Sequence, residues 1–454
     1  MSAPVLSIII LAAMFLLATV LPLNMGALAF VGAFLLGTVV LGMSTSDILA
    51  NFPGGLFLTI VGVTYLFAIA QNNGTIDLLV RGAVRLVGNR VALIPWVMFA
   101  ITAVITAVGA LSPAAVAIIA PIALSFAGKY KINSLLMGMM VIHGAQAGGF
   151  SPIAVYGVTV NGILAKTDLD FSPTALFLSS LIFNLVIAVL LFVVLGGRAI
   201  LSSKVSHFVE QAAEARMAVS VGAKAGDVPF KGFGSGMYGP RDPAGDGVAA
   251  TKERAERIPQ LVTIAGLIAL AVIALGFKVD VGFVSITIAI VVALVSPAAQ
   301  KGAINKISWS TVLLICGMLT FVGVLEEAGT IEFVSNGVAG MGMPLLAALL
   351  ICFIGAVVSA FASSTAILAA LIPLAVPFLS TGEIGAVGVI CALAVASTIV
   401  DVSPFSTNGA LVLANAPESV DKDRFYKQIL GYSGIVIVAG PVLAWLALVV
   451  PGWL

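Results

Sequence analysis

Apolar runs of about twenty residues recur along this chain with few charges inside them, and a helix of that length crosses the hydrocarbon core of a bilayer. With 61% of its 454 residues hydrophobic and only 9% charged, the chain reads as an all-α polytopic membrane protein. The runs are continuous, whereas a β-barrel would show short alternating segments. Spans are expected near 5–22, 25–43, 54–72, 133–163 and 173–197, then 259–276, 280–297, 308–326, 385–416 and 428–450. The first run lacks the basic flank and small-residue cleavage pattern of a signal peptide, so it is taken as the first membrane helix. A net charge of +1 offers no basis for nucleic-acid binding, and Cys316, Cys352 and Cys391 lie in apolar runs as buried free thiols without metal spacing.

Two apolar regions break this pattern. Ser359 to Pro373 reads SAFASSTAILAALIP, with a helix-start signal of Ser and Thr at its middle. Subtracting 252 carries it onto Ala107 to Pro121, reading AVGALSPAAVAIIAP, with Ser364 falling on Ser112. The same offset carries Ser403-Pro404 onto Ser151-Pro152, inside runs too long for one span. The regions 92–128 and 345–379 therefore read as re-entrant helical hairpins, and 133–163 and 385–416 as broken helices. Irregular backbone at membrane depth is tolerated only inside protein or beside a water-filled cavity. Matching interruptions in two halves point to a transporter binding site.

Upstream, Asn73-Gly74-Thr75-Ile76-Asp77 matches Ala328-Gly329-Thr330-Ile331-Glu332 at an offset of 255. The expected organisation is repeat 1 over 1–197, a cytoplasmic loop over 198–257, and repeat 2 over 258–454. Each repeat has an odd number of spans, so the second lies upside down relative to the first. With the 198–257 loop in the cytoplasm, Arg81, Arg85, Arg90, Lys129, Lys131, Lys301, Lys306, Lys422, Arg424 and Lys427 share its side, leaving Lys166 and Lys278 outside. That bias satisfies the positive-inside rule and puts both termini in the periplasm of a bacterial inner membrane. Residues 75–88 form a short amphipathic helix along the interface, with 330–341 its twin; His207, in the loop, is read as solvated.

Four helix starts are expected at membrane depth: Ser112-Pro113, Ser151-Pro152, Ser363-Ser364-Thr365 and Ser403-Pro404. Ser caps a helix, and Pro suits its first turn. Each start carries about half a positive charge, so four converging starts suit a small dianion. Asp401 and His143 are the chief ionisable residues well inside the spans, and an intramembrane carboxylate marks an ion pathway. The alternatives are a carboxylate capping its own helix end and a histidine satisfied by a neighbouring carbonyl. Gln146, Asn161, Thr407 and Asn408 are candidates for orienting hydrogen bonds to substrate, or for holding their broken helices together.

On these motifs the chain resembles the ion-transporter superfamily that includes the divalent anion/sodium symporters, most closely the dicarboxylate carriers of the malonate (MatC) type. The second tip, Ser363-Ser364-Thr365, nearly matches the Ser-Asn-Thr of the symporters, while Leu111-Ser112-Pro113 departs from it; Ser151-Pro152 and Ser403-Pro404 match the breaks. The resemblance implies a scaffold domain, an elevator-type transport domain of two hairpins and two broken helices, and a homodimer. It also implies one cation near Ala107, Ser112 and Gly149 and another near Ser359, Ala362, Ser364 and Asp401. Ser363 adds a further hydroxyl to the second set.

The expected function is cation-coupled import of a small dicarboxylate, malonate or a C4 acid, with sodium favoured over a proton as the coupling ion. A sodium/proton antiporter or inorganic-anion transporter on the same architecture is the alternative. No nucleophile–base pair or metal cluster suggests an enzyme. The bilayer is the expected environment.

Overall fold

The computed structural model describes residues 2–86, 90–196, 246–277, 279–339, 343–361, 363–417 and 420–452. His207, Lys278 and Ala362 lie outside the described residues, as does the expected loop up to residue 245.

The helices of the first half are α1 Ala3–Val20, α2 Met25–Phe34 with a π-helical extension over Leu35–Val40, α3 Thr45–Ala50, α4 Gly54–Asn72, α5 Thr75–Leu86, α6 Ile94–Ala107, α7 Ser112–Tyr130, α8 Ser134–Gly149, α9 Val155–Leu164 and α10 Pro173–Val194. The second half has α11 Asp246–Phe277, α12 Val281–Val295, α13 Trp309–Glu327, α14 Thr330–Ala339, α15 Pro344–Ser359, α16 Ser364–Leu379, α17 Ala386–Ile399, α18 Thr407–Ala414 and α19 Lys422–Leu448. Eight helical segments among the described residues are long and apolar enough to cross a membrane. The protein is a multi-pass, all-helical membrane protein. The expectation differs in three places: the expected spans 25–43 and 280–297 are the shorter helices Met25–Val40 and Val281–Val295, Ser112–Tyr130 of the first expected hairpin is itself one of the eight, and α11 starts at Asp246, inside the expected loop.

Which helices face lipid follows from composition. In α8 and α17 nearly every residue is buried, as befits helices apolar all round. By contrast α1, α10 and α12 leave Leu16, Val20, Val194, Leu294 and similar side chains exposed. Apolar surface of that extent suits hydrocarbon rather than water.

The buried side chains form two apolar cores. One gathers α1–α4 with α11–α13. The other gathers the hairpin and broken helices α6–α9 and α15–α17 with α10 and α19. Val155 of α9 and Ala366, Ala369 and Ala370 of α16 belong to the first core, so the two groups meet along α9 and α16.

The halves interlock by exchanging equivalent contacts. A Cβ on Gly317 of α13 would lie 2.1 Å from Gly26 O of α2, so only glycine lets these backbones cross. Its counterpart in the other half is the crossing of α4 and α12, where a Cβ on Gly62 would lie 2.9 Å from Gly282 O. Likewise Ser7 of α1 meets the Thr330 hydroxyl at the start of α14 at 2.5 Å. Asn73, just before α5, donates to Thr263 of α11 at 2.7 Å.

Candidate functional site

Two helical hairpins and two broken helices position the site. The α6–α7 hairpin turns at residues 108–111, where Gly109 adopts φ +120 against Val63. In the second hairpin α15 ends at Ser359 and α16 begins at Ser364. Helix α8 stops at Gly149 and resumes as α9 at Val155; α17 stops at Ile399 and resumes, after a 3₁₀ turn over Val400–Val402, as α18 at Thr407.

The Ser-Pro pairs sit in these links, not at the helix starts expected for them. Ser151 and Ser403 lie before the resumed helices, and the backbone N–H of Phe405 donates to Ser403 Oγ at 3.2 Å, folding the link as a local turn. Pro152 and Pro404 therefore do not occupy a first helical turn. The links stay tight because of a glycine one turn on. A Cβ on Gly157 would lie 2.0 Å from Ser151 O, and one on Gly409 would lie 2.0 Å from Ser403 O. These glycines are equivalent at the 252 offset.

The tip serines do not cap either. Ser112 is the first residue of α7, behind Leu111, and Ser364 is the first residue of α16, behind Ser363; neither helix has a side-chain cap. The starts of α9 and α18, at Ala154 and Ser406, also lack a side-chain cap. Of the other helix starts, those at Asn24, Asn133, Ser172, Asp280 and Asp421 carry one, whereas those at Pro53, Ser308, Met343 and Gly385 do not. The central starts thus keep N–H groups and their partial positive charge available to an anion.

Their hydroxyls are used elsewhere. Asn408 Nδ2, in the first turn of α18, donates to Ser112 Oγ at 2.7 Å and to Asp401 Oδ2 at 3.2 Å. Gln146 Nε2, on α8, donates to the same Oδ2 at 3.2 Å. Ser359 donates to Ser364 at 2.8 Å, and Ser364 adjoins the Asp401 carboxylate. Ser406 bonds the Asp401 carbonyl at 2.6 Å. Helix α9, which carries Tyr156, the counterpart of Asn408 at the 252 offset, packs against α16 of the second hairpin. Each broken helix therefore contacts the hairpin of the other half.

Asp401 is the one carboxylate, Lys or Arg buried among the described residues. Burying an ion costs several kcal/mol. Hydrogen bonds to a charged group return about 1.5–3 kcal/mol each and are usually shorter than 3.2 Å. Two amide donors at 3.2 Å and the neighbouring hydroxyls of Ser364 and Ser406 are what this buried carboxylate has to offset that cost.

Not every expected residue joins the cluster. Ser363 and Thr407 are exposed at its edge, where Phe361 and Phe405 stack at 5.7 Å. Pro113 and Pro152 are half-buried. Asn161 lies apart, lining a cavity of about 540 Å³ with Pro152, Phe52 and Lys166. An adjoining cavity of about 270 Å³ holds Lys166 and Glu326. Of the cation set expected at Ala107, Ser112 and Gly149, Ala107 packs against Gly148, while the Ser112 hydroxyl is engaged by Asn408. His143 is satisfied on both sides, by Asn184 at 2.8 Å and Tyr432 at 2.7 Å, a structural histidine binding α8 to α10 and α19. Sequence reasoning missed Tyr156, Gly157 and Ser406; the 252 offset, carried a few residues past each Ser-Pro, would have flagged the first two.

A multi-pass bundle with two hairpins and two broken helices meeting at a buried carboxylate has the build of a membrane transporter. Residues 1–149 match the family model of the dicarboxylate carrier protein MatC N-terminus, ending on the last residue of α8. This is the family to which the sequence motifs pointed. Among solved structures, that of the Alcanivorax borkumensis YdaH transporter shares the fold, with a TM-score of 0.57 over 92% of this chain and 89% of that chain at 15% identity. No curated protein matches the chain. The family-model match is to a carrier, and the structural likeness shows the fold.

Proposed function

We propose that this protein is a cation-coupled importer of a small dicarboxylate, malonate or a C4 acid, with sodium as the coupling ion. It works in a bacterial inner membrane as a homodimer, with inverted repeats, periplasmic termini and an elevator-type movement of the hairpin group against the α1–α4 and α11–α13 group. The observation that carries this reading is the meeting of both tips and both breaks on Asp401. Uncapped helix starts supply positive potential for a dianion without any buried Lys or Arg among the described residues. Asp401 would repel that dianion unless a cation lay between them, so substrate and cation favour each other. The match of residues 1–149 to a dicarboxylate carrier family supports the substrate class.

The alternative of a sodium/proton antiporter needs a second carboxylate or a His–Asp relay. Both ring nitrogens of His143 are engaged by Asn184 and Tyr432, away from Asp401.

Uptake of labelled malonate and succinate into proteoliposomes, with a sodium or a proton gradient imposed separately, tests the proposal. Accumulation driven by sodium is expected. Accumulation that follows the proton gradient and ignores sodium overturns sodium coupling, and no uptake of any dicarboxylate overturns the substrate class.

A further inference from the structure

The geometry points to a single cation site shared by both halves, built from the Asp401 carboxylate and the side-chain carbonyl oxygens of Gln146 and Asn408, with Asn408 relaying its occupancy to Ser112 at the first hairpin tip. This rests on the transporter reading above and adds ligands and a coupling path that the reading does not contain.

Gln146 and Asn408 are fully buried, and the carbonyl oxygen of each has no hydrogen-bond partner. Buried polar atoms are satisfied in the great majority of cases, so two orphans beside one carboxylate call for a common partner. Each amide already places its nitrogen 3.2 Å from Asp401 Oδ2. The oxygen and nitrogen of a primary amide lie about 2.3 Å apart. Oxygens around a cation of sodium or calcium size sit about 2.3–2.6 Å from it, so two ligands stand up to about 5 Å apart. Both carbonyl oxygens can therefore share an ion with Asp401 after a terminal amide rotation, which is a soft torsion. One carboxylate with two neutral oxygens balances a monovalent ion; the described residues hold no group of three His, Cys, Asp or Glu for a harder site.

The rotation has a consequence at the tip. Asn408 Nδ2 bridges Asp401 and Ser112. Turning its oxygen to a cation replaces the N–H that Ser112 Oγ accepts and so changes the direction in which the Ser112 hydroxyl can donate at the uncapped start of α7, where a substrate carboxylate would bind. Asn408 is thus a cation ligand and also a positioning residue, and it ties ion binding in one half to a substrate contact in the other.

The test uses the purified full-length chain at fixed pH and ionic strength. Sodium against potassium is read by thermal shift, and malonate and succinate affinity by titration calorimetry at low and high sodium. In wild type, sodium is expected to stabilise the protein and to tighten dicarboxylate binding by a coupling factor that substrate returns to sodium. Gln146→Leu is expected to weaken sodium roughly ten-fold or more while the coupling factor returns at saturating sodium. Asn408→Ala loses both. Asn408→Ser keeps a short oxygen ligand but cannot span to Ser112, so it retains sodium binding and loses coupling. Wild-type coupling in Asn408→Ala and Asn408→Ser overturns the relay. Unchanged sodium affinity in Gln146→Leu, or no sodium stabilisation of wild type, overturns the site. If sodium stabilises wild type but no dicarboxylate binds, the transport reading fails on its substrate, and the sodium series alone decides the ligand set.

Discussion

Asn408 Nδ2 lies 2.7 Å from Ser112 Oγ, across 296 positions of sequence. One amide in the second broken helix thereby fixes the tip of the first hairpin, and α9 of the first broken helix packs against α16 of the second hairpin. The two halves are joined at the site itself, so a change at one tip is felt at the opposite break.

The tip serines bear on both binding and stability. A serine that capped its helix would cost about 0.5–2 kcal/mol when replaced by alanine. Ser112 and Ser364 cap nothing, so the stability cost of Ser112→Ala and Ser364→Ala is that of the one buried hydrogen bond each accepts, from Asn408 and Ser359, about 1–3 kcal/mol. Each is expected to raise the half-saturation concentration for dicarboxylate uptake by roughly ten-fold, the effect of about 1.4 kcal/mol. A fallen midpoint with unaltered half-saturation would return both serines to a purely structural role.

Asp401→Asn keeps the size of the side chain and removes the buried charge. It is expected to abolish sodium-driven accumulation, or to leave residual uptake indifferent to sodium, because the reason for a cation to bind has gone. Proteoliposome uptake with and without a sodium gradient reads the outcome. Normal transport with unchanged ion dependence would make Asp401 no more than part of its helix break.

The links depend on the glycines that follow them. In Gly157→Ala and Gly409→Ala the new methyl would meet a backbone carbonyl at 2.0 Å, and backbone cannot step aside as a flexible side chain can. Overpacking of this kind costs about 1–3 kcal/mol. Lower thermal midpoints are expected for both, whereas Gly431→Ala, with open space around it, is expected to be neutral. Equal midpoints for all three would show that the links are looser than described.

Sidedness is tested by single cysteines on exposed links. A cysteine at Asp168 is expected to react with an impermeant reagent added outside, and one at Lys301 only after the cytoplasmic face is opened. Labelling of both from the same side would remove the inverted arrangement of the halves.

The sequence alone determined the elements. Apolar length places the spans, and Ser, Pro and Gly inside apolar runs mark the hairpin tips and the breaks, because these signals act within a few residues of backbone. The repeat offset paired the halves for the same reason. Tertiary structure alone decided what the polar side chains do. Ser112 and Ser364 look like caps locally, yet Asn408 and Ser359 take their hydroxyls. Ser151-Pro152 and Ser403-Pro404 look like helix starts, yet Gly157 and Gly409 admit link carbonyls that delay the helices past them. His143 is expected to be satisfied by a neighbouring carbonyl, yet its partners are the side chains of Asn184 and Tyr432 on two other helices. Gln146 and Asp401 stand 255 positions apart, and no local pattern says that they touch. A buried hydrogen-bonding group takes the partner that packing brings within reach, and in a bundle of crossing helices that partner is set by which backbones approach most closely.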